Sequence, residues 1–304
     1  MKIMFRPSKV TATILDRSGL SVIIKRNAFF SLARPAQEWL EDIDPNIYIE
    51  KLKGKADIFT FWDRIPSKMP RMVSLLNQCK VFYELDNIAA IPLVNYDYWW
   101  ENQIGKKTRN MIRKSVKMGV KAITVPLSDA LIRAIEKIYN ETPIRQGKPF
   151  WHYGVKFDQI KRAFTAEKYP CEFICAFYKN EIVGFIHLLY SKETAVMNQI
   201  LSMQKHWDKA PNNVLIAKAV EVTCQKGVRY LVYERMPESS LGEFKRRSGF
   251  QKMHVTRYYI PLSFKGKLVL TLKLQRGFRG ILPVRLKSFL RPIRNWLLRL
   301  VSGF

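Results

Sequence analysis

The last acidic residue of this chain is Glu243; residues 244 to 304 contain no Asp or Glu, yet they hold fifteen Lys or Arg. That absence excludes an ordinary mixed-charge surface for the final fifth of the chain and selects an anionic partner. Over all 304 residues, 52 Lys and Arg face 25 Asp and Glu, a net charge of +27. The phosphate-bearing candidates are nucleic acid, anionic lipid headgroups, and phosphorylated donors such as coenzyme A, aminoacyl-tRNA or nucleotide-activated sugars.

Cysteine is scarce. Cys79, Cys171, Cys175 and Cys224 are too few for a disulfide scaffold and match no zinc-ribbon or redox spacing, so they read as reduced, small apolar side chains. Cys171 and Cys175 lie four apart in a strand-like stretch, on one face but too distant to bridge. No run of eighteen apolar residues occurs, and the start, Met1 to Pro7, lacks the apolar stretch of a signal peptide. The expected location is therefore cytoplasmic, peripheral to a membrane. His152, His187, His206 and His254 are too scattered for a metal site, and no Gly-x-Ser-x-Gly elbow is present. Neither a metal nor a permanently bound cofactor is expected.

What is present is a core-forming pattern, since 47% of residues are hydrophobic. Val10 to Ile14, Leu20 to Ile24 and Asp57 to Trp62 read as short strands. After the aromatic cluster Tyr96 to Trp100, the residues Trp99, Ile104, Thr108, Met111, Ile112 and Val116 recur at helical spacing, and Gly119 is a C-cap. Lys and Arg occupy the other face of that helix, which is either simply solvated or in contact with a phosphate-bearing ligand. Ser128 caps a second helix running to about Asn140. The loop that follows, Thr142 to Gly154, carries two prolines, two glycines and several hydrogen-bonding and stacking groups, the content of a binding loop. Strands follow at Glu172 to Tyr178, Ile182 to Tyr190 and Thr194 to Ser202, then a helix from about Asn212 to Gln225. A strand at Tyr230 to Tyr233, a short helix ending at Ser248-Gly249-Phe250 and a strand at Val255 to Leu262 complete the pattern.

That order, with Asn180-Glu181 before Val183-Gly184-Phe185 and with Phe244-Lys245-Arg246-Arg247-Ser248-Gly249-Phe250 near the end, resembles the GNAT acyltransferase fold. Arg109-Asn110-Met111-Ile112-Arg113-Lys114, followed by Gly119-Val120, resembles the junction between the tandem halves of FemAB-like proteins. The resemblance implies an α/β (α+β) fold: a degenerate GNAT-like half over residues 1–120, a GNAT-like acyltransferase domain over 121–262, and a basic amphipathic arm over 263–304. One departure bears on the donor. Ordinary GNAT members hold the pyrophosphate of acetyl-CoA on a glycine-rich loop, and the matching stretch here, Gln204 to Asn213, contains no glycine. FemAB-like and leucyl/phenylalanyl-tRNA–protein-transferase-like members also lack that loop and use aminoacyl-tRNA. The donor is thus either an acyl-CoA or an aminoacyl-tRNA.

By the same resemblance, His152 and Tyr153 lie on the acceptor loop as catalytic candidates, with Arg145, Gln146 and Trp151 beside them for substrate binding; packing within the loop is their alternative role. His206 and Asp208, also catalytic candidates, precede the helix that would face the donor. Asn212 and Asn213 read as N-caps of that helix, a position that also suits an anion. Lys245, taken as an exposed helical lysine, is the expected donor contact, and a donor cleft is expected between the third and fourth GNAT helices.

On a helical wheel at ~100° per residue, Leu286, Phe289, Leu290, Ile293, Trp296, Leu297, Leu300 and Val301 fall within one arc of about 140° while Arg285, Lys287, Arg291, Arg294 and Arg299 lie on the other side. Residues 283–304 thus suit an anionic membrane surface, the alternative being a stripe docked on the protein's own core. The leading expectation is an acyl- or aminoacyltransferase acting at the membrane surface on an amine of a sugar, lipid-linked glycan or peptide precursor. An RNA-binding protein and a catalytically silent GNAT-fold binding protein are the alternatives.

Overall fold

A computed structural model describes residues 12–17, 20–27, 29–36, 38, 44–63, 81–145 and 147–275. Cys79, Gln146 and the segment 283–304 lie outside them. The chain opens with β1 (Ala12–Arg17), β2 (Leu20–Arg26) and β3 (Ser31–Pro35), followed by α1 (Pro45–Leu52) and β4 (Ile58–Trp62). Asp44 starts α1 by accepting the Asn46 N–H, and Pro45, which has no N–H to satisfy, fills the first turn. Next comes β5 (Phe82–Pro92), then a turn of helix at Tyr96–Tyr98 that widens into a π-helical stretch at Trp99–Gln103. After α2 (Lys106–Lys117) come β6 (Lys121–Val125), α3 (Asp129–Tyr139), the small hairpin β7 (Ile144–Arg145) and β8 (Lys148–Pro149), and α4 (Phe157–Thr165). The antiparallel meander β9 (Cys171–Tyr178), β10 (Glu181–Tyr190) and β11 (Thr194–Ser202) leads through a 3-10 turn, Gln204–Lys209, into α5 (Pro211–Gln225). The described chain ends with β12 (Tyr230–Val232), α6 (Ser240–Arg247), β13 (Gln251–Pro261) and α7 (Phe264–Thr271).

Among the described residues, all thirteen strands except the β7–β8 pair join one sheet in the order β1-β2-β3-β4-β13-β5-β12-β11-β10-β9-β6. The order interlocks the two halves. Strand β5 belongs to the first half in sequence, but it pairs with β12 through Leu231 and Ile91 and with β13 along nine residues. Strand β13 in turn pairs with β4. A boundary at residue 120 therefore separates segments of sequence, whereas in space β13 and β5 exchange places across it at the centre of the sheet.

Alternation along β9 sets the layers. Phe173 and Cys175 face one side, where they pack with Ile132, Ile135 and Phe185 under α3 and α4. Ile174 and Ala176 face the other, against α5 and the Trp99 to Ile112 segment. Gly184 makes the meander possible, because a Cβ there would meet the Ser202 Cβ at 2.9 Å and the Leu201 carbonyl oxygen at 3.0 Å. Lys179 and Asn180, at φ 48° and 64°, form the tight hairpin turn before it.

Ser128 caps α3 as the sequence implies, its hydroxyl accepting the Leu131 N–H at 3.2 Å. The stripe on α2 differs from the expectation: Thr108, Ile112 and Ser115 are buried, while Val116 is 58% exposed. The Thr108 hydroxyl donates to the Arg247 carbonyl at 2.8 Å and fixes the helix's rotation. Helix α4 has no counterpart in the sequence reading. Of the arm over 263–304, the first part belongs to the fold, with Gly266, Val269 and Leu270 of α7 buried against Ile58 and Tyr259. No helix among the described residues is long and apolar enough to cross a membrane.

Candidate functional site

The site begins where two parallel neighbours part. Strands β11 and β12 pair over only three positions, ending at Val196 and Val232. Beyond them β11 stays with β10 as far as Ser202. The chain after β12 instead follows β5, with the Tyr233 N–H donating to the Ala89 carbonyl at 2.8 Å and the Ala89 N–H to the Glu234 carbonyl at 2.7 Å. A wedge opens between residues 197–201 and 233–235. Strand β11 carries a bulge here, since Gln199 pairs with His187 and Met197 with Leu188, leaving Asn198 out of the ladder. Glu234, at φ 46°, marks the departing edge.

A cavity of about 1150 Å³ fills the wedge and continues between the halves. One wall comes from Tyr139, the Phe150 to His152 loop and α4; the opposite wall comes from β2, β3 and β4 of the first half together with Arg257 of β13 from the second. Lys25, Arg34, Arg162, Arg235 and Arg257 line it against Glu38 and Glu234, so cations predominate. At its base, the buried Asp86 accepts from Arg235, from Trp62 Nε1 at 2.9 Å and from Arg257 Nε at 3.2 Å. Arg257 also reaches Glu38 at 3.0 Å and lies 3.8 Å above the Trp62 ring. Burial alone would raise the Asp86 carboxyl, but hydrogen bonds from Arg235 and Trp62 prevail and hold it at about 2. Both arginines are thereby fixed in place, each with donor capacity beyond the Asp86 contact.

Lys245 differs from the sequence expectation of an exposed donor contact. It is 1% exposed, and its ammonium donates to the Tyr233 carbonyl at 2.6 Å and the Arg235 carbonyl at 2.8 Å, 3.8 Å from the centre of the Tyr233 ring. Burial pulls it down to about 8, with the Glu234 carboxylate opposing. The lysine thus acts from behind the wedge, holding the departing edge through its backbone.

Of the predicted acceptor loop, His152 and Trp151 reach the cavity. Tyr139 donates its hydroxyl to Gln199 Oε1 at 2.7 Å, so the Gln199 amide nitrogen faces His152 Nε2, also at 2.7 Å, and that ring nitrogen is the acceptor. Burial, with the positive field of Arg145, lowers His152 to about 3. His152 is therefore a neutral residue of the cavity wall whose Nε2 accepts from Gln199. Tyr139 stacks on the His152 ring with centroids 4.1 Å apart, and Trp151, half exposed, lies tilted against it at 3.4 Å. Tyr153 is half exposed and does not line the cavity. Arg145 braces the loop, donating to the Ser202 and Ile138 carbonyls and pairing with Glu141 at 3.1 Å.

His206, Asp208, Asn212 and Asn213 lie elsewhere. Glu141 caps the 3-10 turn by accepting the Gln204 and Lys205 N–H groups at 2.7 and 3.0 Å. Within that turn, His206 packs against Tyr178, and Asp208 is held by Lys209 at 3.0 Å. Asn212 and Asn213 are not N-caps. Pro211 starts α5 one residue earlier, the N-cap is the left-handed Ala210 at φ 53°, and the Asn213 N–H returns to the Ala210 carbonyl at 3.0 Å. No side chain of α5 or α6 lines the cavity. Instead the junction segment bridges α5 to the end of α6, with Trp99 Nε1 donating to the Ser248 carbonyl at 3.1 Å. Among the described residues, no three His, Cys, Asp or Glu side chains converge as a metal cage requires.

The sequence reading missed Gln199, Asp86, Arg235 and Arg257. Their one local signal was a charged residue at an inward strand position: Asp86 two before Ile88, and Arg257 between Val255 and Tyr259.

No protein-family model matches this sequence, and no curated protein matches it. Solved structures do. FemX superposes with a TM-score of 0.60 at 11% identity, over 86% of this chain and 90% of its own. The C-terminal domain of a candidate lysylphosphatidylglycerol synthetase from Agrobacterium fabrum gives 0.56 at 11% identity, over 89% and 91%. L-PGS from Bacillus licheniformis gives 0.53 at 12% identity, over 87% and 88%. At such identities the likeness is one of fold, and the fold of this chain is the GNAT-like fold of the FemAB type.

Proposed function

We propose that the chain is an acyl- or aminoacyltransferase whose reacting carbonyl sits in the wedge between β11 and residues 233–235, with the acceptor amine delivered from the cation-lined cavity. The observation that carries this reading is the wedge itself, where the parallel strands β11 and β12 part after three paired positions and open into a cavity of about 1150 Å³. Beyond Val196 the edge of β11 that faced β12 has no ladder partner, so its backbone can present N–H and C=O groups to a carbonyl and an amine, and positioning of that kind supplies much of the rate of aminolysis. Arg235 and Arg257, locked by Asp86, suit a carboxylate or phosphate on the acceptor. The likeness to FemX and to lysylphosphatidylglycerol synthetase structures favours an aminoacyl-tRNA donor, as does the glycine-free start of α5. The exposed basic face of α2 gives a phosphate-bearing donor a second contact. Residues 283–304 would place the enzyme at an anionic membrane surface.

The test is donor consumption. The full chain is incubated with a pool of labelled aminoacyl-tRNA and, separately, with a panel of acyl-CoA thioesters, with amine-bearing phosphorylated acceptors present. Label leaves one donor class, and Asn198→Trp, which fills the wedge from an exposed bulge position, abolishes the loss while the variant stays folded by far-UV circular dichroism. Equal turnover by wild type and Asn198→Trp would refute the assignment.

A further inference from the structure

Helix α7 is apolar on both sides. Gly266, Val269 and Leu270 pack inward, yet Phe264, Leu268 and Leu272 recur every four residues on the outer face, 84%, 52% and 54% exposed. An exposed apolar stripe on a helix already packed on its other side marks a contact with a protein partner or with lipid. This helix is firmly seated. A Cβ on Gly266 would fall 1.9 Å from the Asp57 carbonyl oxygen, and Ser263 both caps the helix at 3.0 Å and donates to the Asp57 carboxylate at 2.8 Å. The outward stripe is therefore a fixed feature of the fold.

We infer that the outer face of α7 docks on an anionic lipid bilayer, with Phe264, Leu268 and Leu272 entering the headgroup boundary and Lys265, Lys267 and Lys273 contacting lipid phosphates. Charge decides among the possible occupants. Lys265 and Lys267 flank the stripe on its two sides, Lys273 follows it, and all three are exposed. A second copy of the chain would set these lysines against their own equivalents across an isologous contact. The chain's own residues 276–304 are as basic and contain no acid. A bilayer with anionic headgroups supplies an apolar interior bordered by negative charge, which complements the pattern. Orientation follows from strand alternation. Ile58 and Tyr259, under α7, share one face of β4 and β13 with Trp62 and Arg257 of the cavity wall. Docking through α7 thus brings the cavity side of the sheet to the membrane, whatever reaction the cavity serves.

The experiment is co-sedimentation of the full chain with vesicles of phosphatidylcholine alone or mixed with phosphatidylglycerol. Wild type binds the mixed vesicles and not the neutral ones. The variant Phe264→Ser/Leu268→Ser/Leu272→Ser binds at least about ten-fold more weakly at an unchanged melting temperature, and Lys265→Glu/Lys267→Glu/Lys273→Glu loses the preference for phosphatidylglycerol. Unchanged binding by the serine variant would assign any membrane contact to residues 283–304 alone and overturn the inference. A lowered melting temperature would mean that the chain itself covers the stripe, and a dimer in wild type that dissociates in the variant would mean a second copy does; either overturns it.

Discussion

Lys245 offers the sharpest check on how the wedge is held. Replacing it with alanine removes two charge-assisted hydrogen bonds, to the Tyr233 and Arg235 carbonyls, and leaves those groups without the ammonium. Each buried carbonyl left unpaired costs about 1 to 3 kcal/mol, and the lost methylenes add ~0.8 kcal/mol each. Against this stands the burial of a cation, which pulls the lysine from 10.5 to about 8 and so penalises the charged form by about 3 kcal/mol at pH 7. The balance for Lys245→Ala is a loss of about 3 kcal/mol. Lys245→Met, which refills the volume and removes the buried charge, should lose only ~1 to 2 kcal/mol. Urea denaturation at pH 7 measures both. The pH dependence supplies an independent signature. Because the folded pKa lies below the unfolded one, the unfolded chain holds the extra proton between pH 8 and 10.5, and wild-type stability gains this contribution as pH rises through that window. The methionine variant lacks the gain. A Lys245→Ala protein as stable as wild type would refute the argument, because the lysine would then be solvated as the sequence alone suggests.

Three other outcomes are expected. Asp86→Asn should destabilise by ~3 kcal/mol in thermal or urea melts, because it leaves Arg235 and Arg257 without their shared carboxylate; in wild type the Asp86 contribution is present above pH 4 and is lost as pH falls toward about 2. The imidazole resonances of His152 and His187, lowered by burial to about 3 and about 4, should not titrate between pH 5 and 8 in an NMR series, and a midpoint near 6.5 for either would contradict its placement. Gly266→Ala should shift the melting temperature down by several degrees, since its methyl group would overlap the Asp57 carbonyl oxygen; an unchanged melt would mean α7 is not seated on β4.

Local rules made much of the fold legible. Alternation exposed β9, β10 and β11, Ser128 announced α3, and Gly119, at φ 89°, closed the α2 segment. Where local signals gave out, the determinant was distant in sequence. Nothing near Phe82 to Pro92 declares that this strand will stand between β12 and β13, because its partners are more than a hundred residues away. Lys245 reads as an exposed cation on a basic helix, and only the return of residues 233–235 past it makes it interior. Asn212 and Asn213 have the chemistry of caps, but Pro211 fixes the helix start ahead of them. The composition of the Thr142 to Gly154 loop singled out a segment that does reach the cavity, through Trp151 and His152; the arginine clamp behind the cavity was not legible, since Asp86 meets Arg235 and Arg257 only through the interlocked sheet.

The insertion of β5 also sets a timetable for synthesis. Its two inner neighbours, β12 and β13, are made long after it, the first near residue 230 and the second near 251. Roughly 140 residues must be added after β5 before β12 exists, about ten seconds or more at ordinary elongation rates. Throughout that interval the Ile88 to Ile91 run offers unpaired strand edges, the kind of surface on which nascent chains aggregate. A protein built this way gains a sheet that neither half can close alone, and it depends during translation on whatever shelters that one strand until the rest of the chain arrives.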